Sequence, residues 1–132
     1  MVLDILEAVR RVAQTATRMS VYIGSNPPAE AIGLDGDAST VFTGKDIDRA
    51  YEYRIAINGK SGDQLKIARE LENIHKMLTL RGNYPQGDDW QIYGIETQSS
   101  PRILGRESAD KNQWLYGSSV LVKYYRKGLK AL

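Results

Sequence analysis

Tyr51-Glu52-Tyr53-Arg54-Ile55-Ala56-Ile57-Asn58-Gly59-Lys60-Ser61 is the stretch that decides the fold class. Tyr51, Tyr53, Ile55 and Ile57 alternate with Glu52, Arg54, Ala56 and Asn58. That is a half-buried strand with one apolar and one mostly polar face. Asn58-Gly59 reads as its end. Ser61, with Gln64 three residues on, fits a capping box for the next helix. Ile67, Leu71, Ile74 and Leu78 then recur at steps of four, three and four, with Leu65 and Ala68 beside them, and Arg81-Gly82 suits the helix C-terminus. Tyr84-Pro85-Gln86-Gly87 is a turn. Trp90, Ile92, Tyr93 and Ile95 mark a strand, Ser99-Ser100-Pro101 interrupts it, and Ile103-Leu104 belongs to another. After a turn at Ala109-Asp110-Lys111-Asn112, residues Trp114, Tyr116, Val120, Val122 and Tyr124 share one face of a long final strand.

Upstream, Leu3, Leu6, Val9, Val12, Ala13 and Ala16 lie at three- and four-residue steps, the apolar stripe of an amphipathic helix over about residues 3–17. Met19 to Ile23 is short, β-branched and aromatic, a strand closed by Gly24. Asn26-Pro27-Pro28 breaks regular structure, and a long loop follows over about residues 25–48, with a short strand at Val41-Phe42. The order is helix, strand, loop, strand, helix, then three strands without crossovers. It predicts one α+β domain over residues 1–132: a mostly antiparallel, four- to five-stranded sheet with two helices packed on one face.

The length of 132 residues suits a single domain able to bury its own core. There is no cysteine, which removes disulfides, thiolate metal sites and Cys nucleophiles. The N-terminal stretch has Asp4, Glu7, Arg10 and Arg11 among its apolar residues and no cleavage site, so it does not read as a secretory leader. No run is apolar enough to cross a membrane as a helix. A net charge of +2 argues little, but its distribution is uneven. Glu30, Asp35, Asp37, Asp46 and Asp48 crowd the loop against Lys45 alone. Lys123, Arg126, Lys127 and Lys130 mark the end of the final strand and a basic tail over about residues 126–132.

Each motif with a chemical reading also has a plainer one. Gly59-Lys60-Ser61 stands between strand and helix like a phosphate-binding loop, but the first glycine of that motif would fall at Arg54, and residues 55–58 belong to the strand. Asp35-Gly36-Asp37 has the outline of a calcium loop, but Thr40 replaces the required glycine and Asp46 stands where a Glu is needed. His75 is the only histidine, and Asp88-Asp89 adjoins a turn. None of these predicts a catalytic, cofactor or metal site. The aromatic and basic residues of the final strand could bind single-stranded nucleic acid, although strand aromatics more often pack or form protein interfaces.

The segment from Tyr53 to Arg126 resembles the tail-terminator proteins of long-tailed bacteriophages, also called minor capsid or head–tail joining proteins. The resemblance rests on the strand Tyr53 to Lys60, the long amphipathic helix, the strand ending in Gln98-Ser99-Ser100-Pro101, and above all Pro101-Arg102-Ile103-Leu104-Gly105-Arg106 before the aromatic strand. Pro28 to Asp35 also looks like the family's segment before its long loop, while Asp35 to Ser39 departs from the glycine-rich stretch expected there. Pro101, Leu104, Gly105 and Arg106 are its marker residues. The resemblance implies a non-enzymatic, cofactor-free protein that forms a ring, usually a hexamer. Such a ring caps the tail tube and meets the head connector, in the host cytoplasm during assembly and then at the tail–head junction of the virion. A ring joins two different patches head to tail. The charge pattern offers a candidate pair: Asp35, Asp37, Asp46 and Asp48 on one copy against Lys123, Arg126 and Lys127 on the next.

Overall fold

The computed structural model describes residues 2–36, 41–42, 50–80, 82, 84–106 and 112–126. Helix α1 (Val2–Thr15) buries Ile5, Leu6, Val9 and Ala13. Leu3, expected on that stripe, is exposed, and Ile5 takes its place. Strand β1 (Ser20–Ile23) runs parallel to β2 (Ala31–Gly36). The loop expected over 25–48 therefore contains a six-residue strand. Ala31, Ile32, Gly33 and Leu34 are all buried, so β2 has no apolar–polar alternation to announce it.

Parallel neighbours usually need a crossover of a dozen or more residues. Here residues 24–30 make the return by crossing β2 at Gly33. A Cβ on Gly33 would lie 2.4 Å from the Gly24 carbonyl oxygen and 3.3 Å from Pro27 Cδ. The Gly24 N–H donates to the Leu34 carbonyl at 2.8 Å. Only a residue without a side chain lets the chain pass that close.

The short strand β3 (Val41–Phe42) forms as expected and pairs antiparallel with β4 (Ala50–Ser61). β4 does not stop at Asn58-Gly59; it continues to Ser61. Gly59 stays in the strand because Ile67 of the next helix occupies the space a side chain would need, 2.5 Å from a built Cβ. Helix α2 (Gln64–Thr79) is capped by Asp63, whose carboxylate accepts the Lys66 N–H at 3.1 Å, and not by Ser61. The Ser61 hydroxyl instead accepts the Asp63 N–H. Gly82, at φ 97°, follows the helix as its sequence position suggests.

Strand β5 (Trp90–Arg106) is continuous through Ser99-Ser100-Pro101, so the three final strands expected are two, β5 and β6 (Trp114–Arg126). The interruption is absorbed as register shifts against β6 at 92/94, 97/99, 99/102 and 103/105. Pro101 is tolerated because β5 is an edge strand.

The sheet order is β1-β2-β4-β6-β5, antiparallel except for the first pair. The fold is α+β. Tyr53, Ile55 and Ile57 of β4 join Ile32 and Leu34 of β2, Val120, Val122 and Tyr124 of β6, and Ile92 and Ile95 of β5 in one buried cluster. The same cluster takes Ile5, Leu6, Val9 and Ala13 from α1 and Ile67, Leu71, Ile74 and Leu78 from α2. The alternate positions of the central strands pair as Glu52 with Lys123, Arg54 with Leu121, Ala56 with Ser119 and Asn58 with Gly117. They form the polar face, as the strand pattern predicts.

Candidate interaction surface

The residues that invited a chemical reading are mostly spoken for. Lys60 is buried, and its Nζ donates to Asn26 Oδ1 at 3.1 Å. Ser61 is fully buried and donates to Glu30 Oε1 at 2.9 Å. With Gly59 inside the strand, no loop is free there to wrap a phosphate. Asp88 and Asp89 are exposed beside Asp4, Glu7 and Trp90 in a shallow cleft. His75 and Thr97 form an imidazole–hydroxyl pair, Nδ1 to Oγ1 at 2.9 Å. No carboxylate orients the other ring nitrogen, as the base of a nucleophilic pair requires, because His75 Nε2 is buried without a hydrogen-bond partner. Among the described residues, no three metal-ligating side chains gather. No described helix is long and apolar enough to span a membrane.

A corner that the sequence did not reveal is built on Glu30, which sits at φ 57°. Its carboxylate accepts the Gly62 N–H at 2.7 Å, the Ser61 hydroxyl at 2.9 Å and Gln113 Nε2 at 3.2 Å, with Lys66 Nζ at 3.8 Å. The Gly62 amide, and after it Ser61, Gln113 and Lys66, hold the carboxyl below its ordinary value against the opposing effect of burial. Glu30 thus ties the β1–β2 return to the start of α2 and to the approach to β6. Partners as distant in sequence as Glu30 and Gln113 leave no local pattern to find.

Of the residues proposed to pair between copies, Asp35, Lys123 and Arg126 fall within the described part, and Asp37, Asp46, Asp48 and Lys127 lie outside it. Asp35 is exposed near the end of β2, opposite Ala56. Lys123 already has a partner in its own chain: Nζ is 3.1 Å from Glu96 Oε1. That hydrogen bond, then the charges of Glu96 and Glu52, raises its pKa. Arg126 ends β6 opposite Trp90, and its Nε is buried without an acceptor. The aromatic residues of β6 divide between faces. Tyr124 belongs to the core cluster and Tyr116 packs against it, whereas Tyr125 stacks on Tyr93 with centroids 6.0 Å apart.

The marker segment lies at the surface. Leu104 is 54% exposed and Ile103 47% exposed. Leu104 lies over Gly117, where a Cβ would come within 2.7 Å of its Cδ1, and Ile103 pairs with Tyr116 toward the other face. Gly105 takes φ 139°, a conformation that favours glycine. The Arg106 guanidinium sits 4.5 Å from the centroid of the Trp114 ring. Pro101 is partly buried between Ser100 and Arg102 in β5.

The two sheet edges differ. On β1, Gln14 Oε1 accepts the Val21 N–H at 3.0 Å, Gln14 Nε2 donates to the Met19 carbonyl at 2.8 Å, and Arg10 donates to the Val21 carbonyl at 3.3 Å. Helix α1 thus satisfies the edge at Met19 and Val21. On β5, residues 85–91 cover the beginning: Gln86 bridges to Gln91, and the Ile92 N–H reaches the Pro85 carbonyl. Beyond that point no described strand pairs with the outer side of β5. The protein thus offers a polar sheet face and an edge strand with exposed apolar residues, a surface suited to protein contact. No protein-family model matches the chain, and no curated protein matches it.

Proposed function

We propose that the chain is a structural assembly protein, the ring-forming tail terminator of a long-tailed phage or prophage, that joins the tail tube to the head connector. The observation carrying this reading is where the marker segment lies. The marker residues Pro101, Leu104, Gly105 and Arg106 lie on the edge strand β5, beyond the part that residues 85–91 cover, and Ile103 and Leu104 there are about half exposed. Ile103 and Leu104 lie on opposite faces of an edge strand whose outer side no described strand pairs, and such an open edge is a ready site for another protein. A heterologous ring contact between copies would use it. Lys123 is held by Glu96, so charge pairing between copies rests on Asp35, on Arg126 and on the acidic and basic residues outside the described part.

Negative-stain images of purified protein mixed with tail tubes test the reading. Capped tubes of uniform length are expected, with rings at one end. Ile103→Lys with Leu104→Lys should leave the thermal midpoint within about 5 °C, since two surface changes of about 0.5 kcal/mol each add to about 1 kcal/mol, and should abolish capping. Tubes left uncapped by the wild-type protein would refute the proposal.

A further inference from the structure

His75 sits between α2 and the edge strand in an arrangement that needs no ring to explain it. Its side chain is 5% exposed, although the residue lines a cleft of about 300 Å³ between α2 and β5. Nδ1 is tied across the packing interface to Thr97 Oγ1 at 2.9 Å. Nε2 is buried and has no partner. The cleft is otherwise lined by Glu72, Lys76 and Ala68 from α2 and by Thr97, Ser100 and Pro101 from β5. Among the described residues the charged groups facing it are therefore Glu72 and Lys76, both exposed and both on the helix. β5 contributes hydroxyls and a proline, and its cross-strand neighbour at Thr97 is the buried Val120.

We propose that His75 is a proton-operated latch between α2 and the edge strand β5. Neutral, it ties the helix to Thr97. Protonated, it turns out toward the Glu72 carboxylate, and the cleft opens. The geometry gives the reason. An imidazolium has two N–H donors and a charge, and the buried position of Nε2 supplies neither an acceptor nor solvent. A buried charge without a partner is strongly unfavourable, and Glu72 is the anion one helical turn away in the same cleft. Lys76, also at the rim, opposes a cation that stays inside. Burial pushes the imidazole below its ordinary value of 6.5 while the latch is closed. The open form therefore binds the proton more readily. The closed form loses ground as pH falls, by up to about tenfold per unit for one proton, and pairing of the open form with Glu72 brings the onset above the free-imidazole value of 6.5.

The test combines NMR titration of the His75 ring with amide exchange in the full chain from pH 7.5 to 4.5. Protection at residues 75–79 of α2 and 95–97 of β5 should fall as pH is lowered, after correction for the intrinsic exchange rate, while the centre of β4 holds. His75→Gln should remove that dependence. Glu72→Gln should move both the ring titration and the opening to lower pH. Constant protection in the wild type would overturn the proposal. So would an unchanged pH response in His75→Gln, or a Glu72→Gln protein that titrates like the wild type. If His75→Gln does not fold, Thr97→Val decides. The proposal requires exchange at residues 75–79 to be raised already at pH 7.5, and wild-type protection there would refute it.

Discussion

Replacing Gly33 with alanine tests the least expected part of the fold, the short parallel return between β1 and β2. The new Cβ would stand 2.4 Å from the Gly24 carbonyl oxygen, whereas ordinary contacts begin near 3.4 Å, so one of the two must move by about 1 Å. The obstacle is backbone, fixed by the Gly24 N–H bond to Leu34 and by the buried Pro27. Overpacking of this kind costs about 1–3 kcal/mol. Loss of the Gly24 bond would add roughly 0.5–1.5 kcal/mol. The lower backbone entropy of unfolded alanine returns about 0.4–1 kcal/mol. A net loss of about 0.5–4 kcal/mol, centred near 2 kcal/mol, is expected, which is a fall of roughly 2–15 °C in Tm for a domain of this size. Gly94→Ala is the control, since a Cβ there meets only Lys123 at 3.7 Å and 3.9 Å, and it should stay within about 0.5 kcal/mol of wild type. Urea unfolding measures both, and amide exchange at Gly24 reports the loop itself. If Gly33→Ala were as stable as wild type, or if Gly94→Ala lost as much, residues 24–30 could not cross β2 where we place them.

Glu30→Gln should destabilise the protein at neutral pH, and the difference from wild type should shrink in acid. The folded carboxyl lies below its ordinary value of 4.5, so its contribution is complete above that value and is lost as pH falls through the folded pKa. Urea unfolding at pH 7 and pH 3 checks the sign, and an equal difference at both pH values would contradict it. Asp63→Ala removes the α2 cap and should cost about 1 kcal/mol, whereas Ser61→Ala should act through Glu30 instead. A double-mutant cycle of Ser61→Ala with Glu30→Gln should therefore show coupling, and one with Asp63→Ala should show less.

The sequence pattern foretold what rests on periodicity. The alternation from Tyr51 to Ile57 gave the central strand and its two faces, and the stripe Ile67, Leu71, Ile74 and Leu78 gave α2 and its buried side. It misled where a residue has a second role. Gly59 reads as a terminator but is a strand position under Ile67. Ser99-Ser100-Pro101 reads as a break but is accommodated by shifted pairing on an edge. β2 gives no signal because Ala31, Ile32, Gly33 and Leu34 are buried in succession, so no apolar–polar alternation marks it. The surface was legible only in part. The marker residues were named, but the orphaned Nε2 of His75 and the Glu30 corner depend on contacts that only the fold brings together.

The irregular pairing of β5 has a consequence for how many molecules the protein can gather. A flat edge of seventeen residues would template the next strand as readily as it met the first, the route by which sheets grow into fibrils. The four shifts against β6 break that template, leaving Gly94 to Thr97 as a stretch in uninterrupted register. A partner can therefore join over a short span, but the geometry does not repeat beyond it. At the opposite margin Gln14 and Arg10 occupy the outward N–H and carbonyl of Val21, which hinders growth there. An assembly built on this edge, as the proposed ring would be, would be limited by the sheet's own irregularity and would not grow without end.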